Sequence, residues 1–180
     1  MRRLFALLVL LYMIMVCALP FSCKKSGVDG KAACFKCDGS IIYLDNEAIA
    51  LSESSNNNAA LRSEALEVCT LVNSERLNNG LEALDWNQNL ESTSNVRSYE
   101  ASIDFSHTRP NGTPWYTVNS QIQGGENLAF GYDTAEEVMD GWMNSPTHKD
   151  NILHNEFNAI SVSVYQDDNG VLYWAQEFGY

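Results

Sequence analysis

The chain has 180 residues, with 23 acidic and 11 basic side chains and a formal charge of −12, a length that fits one domain plus flanking sequence. The charge is uneven: residues 61–180 carry 18 acidic and 5 basic side chains, whereas residues 1–60 carry 5 and 6. An acidic domain repels phosphate backbones, which argues against nucleic acid as a partner, although the same charge also serves ordinary solubility.

Arg2 and Arg3 precede an apolar run from Leu4 to Leu19, then Pro20-Phe21-Ser22-Cys23. A basic start, an apolar core and a small residue before a break predict an export signal over residues 1–22. The run is slightly short of the roughly 20 apolar residues of a transmembrane helix, and an uncleaved anchor is the alternative. Ser22-Cys23-Lys24-Lys25 resembles the processing site of bacterial lipoproteins. That resemblance implies lipidation at Cys23, a membrane attachment through the lipid and a place in the cell envelope. Pro20 and Phe21 depart from the pattern, which leaves plain secretion as the other outcome.

Residues 23–60 read as a flexible tether. Gly27, Gly30 and Gly39 are followed by the polar run Ser52-Glu53-Ser54-Ser55-Asn56-Asn57-Asn58, which buries too little apolar area to offset its ordering entropy. Ile41-Ile42-Tyr43-Leu44 is the one apolar island. Cys34-Phe35-Lys36-Cys37 has CxxC spacing. In an exported chain this predicts a local disulfide or a feature of the tail rather than chemistry, because neither a βαβ context for redox work nor a second pair for zinc is present.

From residue 61 to 180 the pattern is that of one domain. Leu61, Ala65, Val68, Cys69 and Val72 recur at three and four, predicting an amphipathic helix that Asn78-Asn79-Gly80 ends. Cys69 is expected to be a small core residue. A second helix is expected over 87–103, with Leu90, Ser94, Arg97/Ser98 and Ala101 on one face, its serines diluting the apolar stripe. Thr134-Ala135-Glu136-Glu137 is a capping box opening a third helix, and Pro146 suits the first turn of a fourth that carries His148. Ile160, Val162 and Val164, a turn at Asp167-Asp168-Asn169-Gly170, and Leu172, Trp174, Gln176 and Phe178 predict a terminal hairpin. Helices first and strands last give an α+β domain with an antiparallel sheet between helices.

His107, Glu126 and His148 are the candidate site residues. Neutral imidazoles are Zn²⁺ ligands, and a carboxylate can ligate, orient an imidazole or act as a base toward metal-bound water. A glutamate accepting hydrogen bonds from two imidazoles is equally a satisfied polar cluster without chemistry. His154 reads as a loop residue. Neither a Gly-x-Ser-x-Gly elbow nor a glycine-rich phosphate loop is present, and Gly124-Gly125 is expected to allow a close approach of the backbone before Glu126. Asn111-Gly112-Thr113 fits an N-glycosylation acceptor; in a bacterial chain it is simply a turn, which the lipoprotein-like start favours. Trp115, Tyr116, Trp142, Tyr173 and Trp174 either line a groove or fill the core.

Five ordered motifs carry a resemblance: Leu71-Val72-Asn73-Ser74-Glu75-Arg76, Phe105-Ser106-His107-Thr108-Arg109-Pro110, Gly125-Glu126-Asn127-Leu128-Ala129, Trp142 to Leu153, and Tyr173 to Gly179. Together with Leu84-Asp85-Trp86 they make residues 61–180 resemble the CAP superfamily, or SCP domain, in its bacterial branch. The resemblance implies an α-β-α sandwich, with a central antiparallel sheet, helices on both faces and a cleft. It matches His107, Glu126 and His148 to three of four cleft residues, with His107 and His148 as the Zn²⁺ ligands. The second glutamate is expected three residues after Trp142, where Ser145 stands. The family's disulfide cysteines are missing from this domain. The resemblance favours an exported, lipid-anchored binding or interaction module that takes a small molecule, a lipid or a cell-envelope component. The alternative is a zinc-dependent, protease-like hydrolase with Glu126 as the catalytic base, so enzyme activity stays open.

Overall fold

The computed structural model describes the backbone of residues 32–35 and 41–44 and all of residues 58–180. The expected signal at 1–22, the lipidation site Cys23 and Cys37 of the CxxC pair lie outside the described residues. Within the expected tether, strands β1 (Ala32–Phe35) and β2 (Ile41–Leu44) pair antiparallel, so the apolar island is half of a hairpin.

Helix α1 (Ala59–Asn78) starts where the Asn58 side chain accepts from the N–H groups of Ala60 and Leu61, filling an N-cap. Its stripe is the predicted one: Ala65, Val68 and Val72 are buried, with Leu61 and the free thiol Cys69 packed at the margin. The helix stops before Gly80, whose φ of +76° suits the residue after a helix end. Arg76, also buried, donates to the carbonyls of Glu82, Ile152, His154 and Phe157 and ties this helix end to the chain entering the hairpin. His154 sits in that loop and stacks on Phe157 at 4.4 Å.

The remaining elements follow in order: β3 (Asp85–Trp86), α2 (Gln88–Ile103), a single 3-10 turn (Trp115–Val118), β4 (Gly125–Phe130), α3 (Ala135–Met143), α4 (Pro146–Ile152), β5 (Ala159–Gln166) and β6 (Leu172–Gly179). Thr134 caps α3 by accepting from the Glu137 N–H, but the Glu137 carboxylate reaches back to Asp133 N–H. The loop Arg109 to Thr113 turns tightly, with Asn111 accepting from Thr113.

The main sheet has the order β3-β5-β6-β4. It is antiparallel through β5-β6-β4, as expected, but β3 joins β5 parallel. Two residues are too few to show an alternation, which is why β3 escapes sequence reading. Helices cover both faces. Ile160, Val162, Val164, Trp174 and Phe178 face α1 and α3 in one large apolar cluster. The opposite face carries Ser161, Ser163, Ala175 and Glu177, and α2 lies on it with Ser94 and Ser98 bonded to Ser161 and Ser163. The serines that dilute the α2 stripe are therefore contacts to a small, polar sheet face.

Candidate functional site

Strand register builds the acidic centre. Glu126 on β4 is the direct partner of Glu177 on β6, so both side chains leave the sheet on the α2 side, close together. From α2, Arg97 reaches Glu126 with no exposed side-chain surface. Its Nε donates to Glu126 Oε2 at 2.6 Å and its Nη2 to Glu126 Oε1 at 3.2 Å. The same guanidinium donates to Glu100 Oε2 at 2.7 Å and to the Ser106 carbonyl at 2.7 Å. Arg109 then grips Glu100 through Nε and Nη2. These contacts fix the segment after α2, where His107 Nδ1 lies 2.7 Å from Glu126 Oε1. With a neutral ring, Nδ1–H donates to the carboxylate and Nε2 is left as an acceptor. His107 is 57 % exposed, whereas Glu126 beneath it is 1 % exposed, so solvent reaches the imidazole and not the acid.

The two paired carboxyls are shifted in opposite directions. Burial alone raises the Glu126 carboxyl, but hydrogen bonds from His107 and Arg97 and the Arg97 charge outweigh it and hold the group below the usual carboxylate range. Burial, followed by the Glu126 charge, pushes Glu177 well above that range. Its Oε2 accepts from Gln123 Nε2 at 2.8 Å, and a hydrogen bond between the two carboxyls raises Glu177 further and lowers Glu126. Two carboxylates paired across the register resist ionising together, so Glu177 holds its proton to a higher pH than an ordinary carboxyl. With Glu177 neutral, Arg97 and Arg109 match Glu100 and Glu126.

A raised carboxyl value contributes stability that is complete below the unfolded value, about 4.3, and is lost as pH rises toward the folded value. Glu177→Gln keeps a neutral group of the same shape and removes that loss. The variant is expected to gain on wild type by on the order of 1 kcal/mol per pH unit above about pH 4.5, until wild-type Glu177 ionises. Urea unfolding midpoints at pH 4.5 and 8 check this; a gain that does not widen with pH contradicts the neutral Glu177.

The other wall of the site is α4. Asn127 on β4 donates to the His148 carbonyl at 3.1 Å and to Gln176 Oε1 at 2.8 Å. Asn151 donates to the Glu126 carbonyl at 3.1 Å and to Asn127 Oδ1 at 2.9 Å. This amide network latches α4 beside β4, across the strand from His107. Burial, and then the neighbouring His107, lower the His148 imidazole from the ordinary histidine value and favour its neutral form. Between the walls lies a cavity of about 310 Å³ lined by Phe105, Leu128, Phe130, Trp142, Ser145 and His148, among others. At Gly124 and Gly125 an added Cβ would lie 2.7 Å from Tyr180 and 2.9 Å from Phe157, respectively; the pair permits the expected close approach.

The sequence profile of the family described as "CAP: Cysteine-rich secretory protein family" matches residues 69–178. The chain belongs to the CAP family. It is similar to the uncharacterized protein YkwD of Bacillus subtilis (strain 168), 34% identical over 119 residues, covering 62% of this chain and 45% of that protein. It is also similar to the uncharacterized membrane protein YlbC of the same organism, 24% identical over 121 residues, covering 60% of this chain and 34% of that protein. The chain thus spans less than half the length of these curated relatives. Among solved structures, an extracellular SCP-domain protein from Bacillus anthracis str. Ames aligns with TM-score 0.61 at 20% identity, over 86% of this chain and 58% of that one. An outer surface protein from Borrelia burgdorferi aligns with TM-score 0.56 at 19% identity, over 62% of this chain and 87% of that one. These structures share the fold.

Within this CAP domain, His107, Glu126 and His148 converge around β4, with Glu126 as the buried member. Ser145 lines the cavity, and the second carboxylate at the site is Glu177, from the sheet. Sequence reasoning missed Arg97 as the partner of Glu126, and Glu177 altogether; the alternation of β6 placed Glu177 opposite the core face, and only α2 packing makes that face an interior. As a zinc site the cluster fits poorly. Among the described residues no three His, Cys, Asp or Glu side chains are grouped to hold an ion, and both Glu126 oxygens are committed to Arg97 and His107. A catalytic zinc takes three protein ligands, and two imidazoles are what this site offers.

Proposed function

We propose that the chain is an exported CAP-domain protein that acts as an extracellular binding or interaction module through the cleft between His107 and His148. The observation that carries this reading is the setting of Glu126: buried and bonded on both oxygens, it orients the exposed His107 imidazole, while His148 on the other wall lines the cavity. A group so engaged is a fixed support for binding, whereas a general base needs a free oxygen facing its substrate. This weighs against the zinc-hydrolase alternative. Export is supported by the N-terminal pattern and by two structural neighbours, one described as an extracellular protein and one as an outer surface protein. Lipid anchoring at Cys23 belongs to the same proposal; radiolabelled palmitate retained by Cys23→Ser rejects it.

The module is tested by co-sedimentation with isolated cell walls and membrane vesicles of Bacillus subtilis. His107→Ala/His148→Ala is expected to lose most envelope binding while its circular dichroism stays that of wild type, with a stability loss of about 1 kcal/mol for the missing hydrogen bond to Glu126. Envelope binding unchanged in the double variant rejects the cleft as the binding site. A zinc titration of the same pair of proteins reports whether the two imidazoles hold metal.

A further inference from the structure

We propose that the open edge of β4 binds an extended, basic peptide segment as an added strand, with one apolar side chain of that segment in the adjoining cavity. The proposal rests on the binding-cleft reading above and names the class of its ligand. β4 ends the sheet, with no strand beyond it among the described residues. In an antiparallel pair, alternate residues direct both backbone groups to the partner and the rest direct both away. Gly131 N–H bonds to the Leu172 carbonyl on β6, which fixes the phase. The carbonyls of Glu126 and Leu128 point outward, where the side chains of Asn151 and Trp142 bond to them. The N–H of Leu128 and both backbone groups of Phe130 point the same way, toward the cavity. Trp142 occupies the Leu128 carbonyl, so an incoming strand gains the Leu128 N–H and the two groups of Phe130.

The surface around this edge is that of a recognition site. Natural sheet edges are blunted by charges, proline or bulges. This one instead displays Phe130, 52 % exposed, against Phe105, 46 % exposed, edge to face at 4.7 Å. The cavity beside them is roomy enough for a large side chain, and strand addition draws its specificity from such pockets. Charge selects the occupant. Asp104, Asp133 and Asp140 are exposed chain neighbours of lining residues, with Lys149 the single cation so placed. These acidic neighbours, in a domain with 18 acidic and 5 basic side chains over residues 61–180, attract basic side chains, and ammonium or guanidinium groups also pack on phenylalanine faces.

The test is an amide-detected NMR titration of the ¹⁵N-labelled full chain with the peptide acetyl-Lys-Thr-Phe-Thr-Lys-amide. Saturable shifts are expected at Leu128 and Phe130 and around Phe105 and His148. A peptide with Glu for both Lys, and one N-methylated at every second residue, are each expected to bind up to about tenfold more weakly, the loss for a missing hydrogen bond or ion pair. Leu128→Pro removes an outward N–H, which an edge strand tolerates, and is expected to weaken binding similarly. If that variant does not fold, the N-methylated peptide decides alone. No shift at β4 at millimolar peptide, equal binding of the N-methylated peptide, or shifts at β4 produced by neutral oligosaccharide or lipid vesicles and not by the basic peptide each overturn the proposal. Histidine-dependent envelope binding without peptide binding leaves the cleft reading standing and removes only the ligand class; loss of both removes both.

Discussion

Replacement of Arg97 by methionine is expected to lower folding stability by about 3–5 kcal/mol, the range for removing one partner of a buried ion pair. Methionine keeps a long stem for packing but leaves Glu126 and Glu100 without their shared cation. Arg109 still neutralises Glu100, so the uncompensated charge falls on Glu126, whose remaining ion-pair partner among the described residues is a surface imidazole. A domain with about 5–15 kcal/mol of total stability would be left marginal. The pH profile tells this cause from simple loss of packing. In wild type, Glu126 lies below its ordinary value, so its contribution is present above about pH 4.3 and is lost as pH falls through the folded value. Without Arg97, burial dominates and raises the group, so the variant should be least impaired at acid pH. Lysine should rescue little, because one ammonium cannot span Glu126, Glu100 and the Ser106 carbonyl. Arg97→Met/Glu126→Gln should recover a large part of the loss, since the stranded charge is gone. Urea midpoints of the three variants between pH 4 and 8 check this; a loss below about 1 kcal/mol at pH 7 places the pair among weak surface bridges.

How far the fold shows in the sequence depends on the kind of signal. The α1 stripe, the Thr134 cap, Pro146 at the start of α4 and the turn before Gly170 are local patterns, and each stands where the residues put it. α2 is legible as a helix but not as an interior one, because hydrophobic periodicity counts apolar residues. Thr93, Ser94, Asn95 and Ser98 are buried without being apolar; Ser94, Asn95 and Ser98 bond to the serines of β5, and Thr93 to the Leu90 carbonyl. The site divides in the same way. His107, Glu126 and His148 stand out in ordered motifs. Arg97 and Glu177 acquire their roles through a helix-to-sheet contact and a cross-strand register, neither of which leaves a trace in the spacing of either residue. The cavity is likewise a product of the β4 edge and the α4 latch, so its lining comes from four separate segments.

Trp142→Ala is expected to cost about 3–5 kcal/mol, the range for truncating a buried tryptophan, and to change the cleft as well as the core. The side chain is almost fully buried in the cluster that joins α1, α3 and the sheet. Its indole N–H also bonds to the Leu128 carbonyl at 3.2 Å, and one face of the residue lines the cavity. Truncation therefore opens a void in the core, frees a carbonyl on the β4 edge and enlarges the cavity at once. Trp142→Phe separates these effects. It keeps most of the apolar volume and forfeits the hydrogen bond, for an expected loss of about 1–3 kcal/mol as the carbonyl is left unpaired or hydrated. An added strand can use that freed carbonyl, so Trp142→Phe should bind the basic probe peptide at least as well as wild type although it is less stable. Stability and affinity moving in opposite directions is a result that a purely structural tryptophan does not produce. Denaturant midpoints paired with the NMR titration of the same variant provide the measurement, and a parallel loss of both would mean that Trp142 acts on the cleft only by holding the fold.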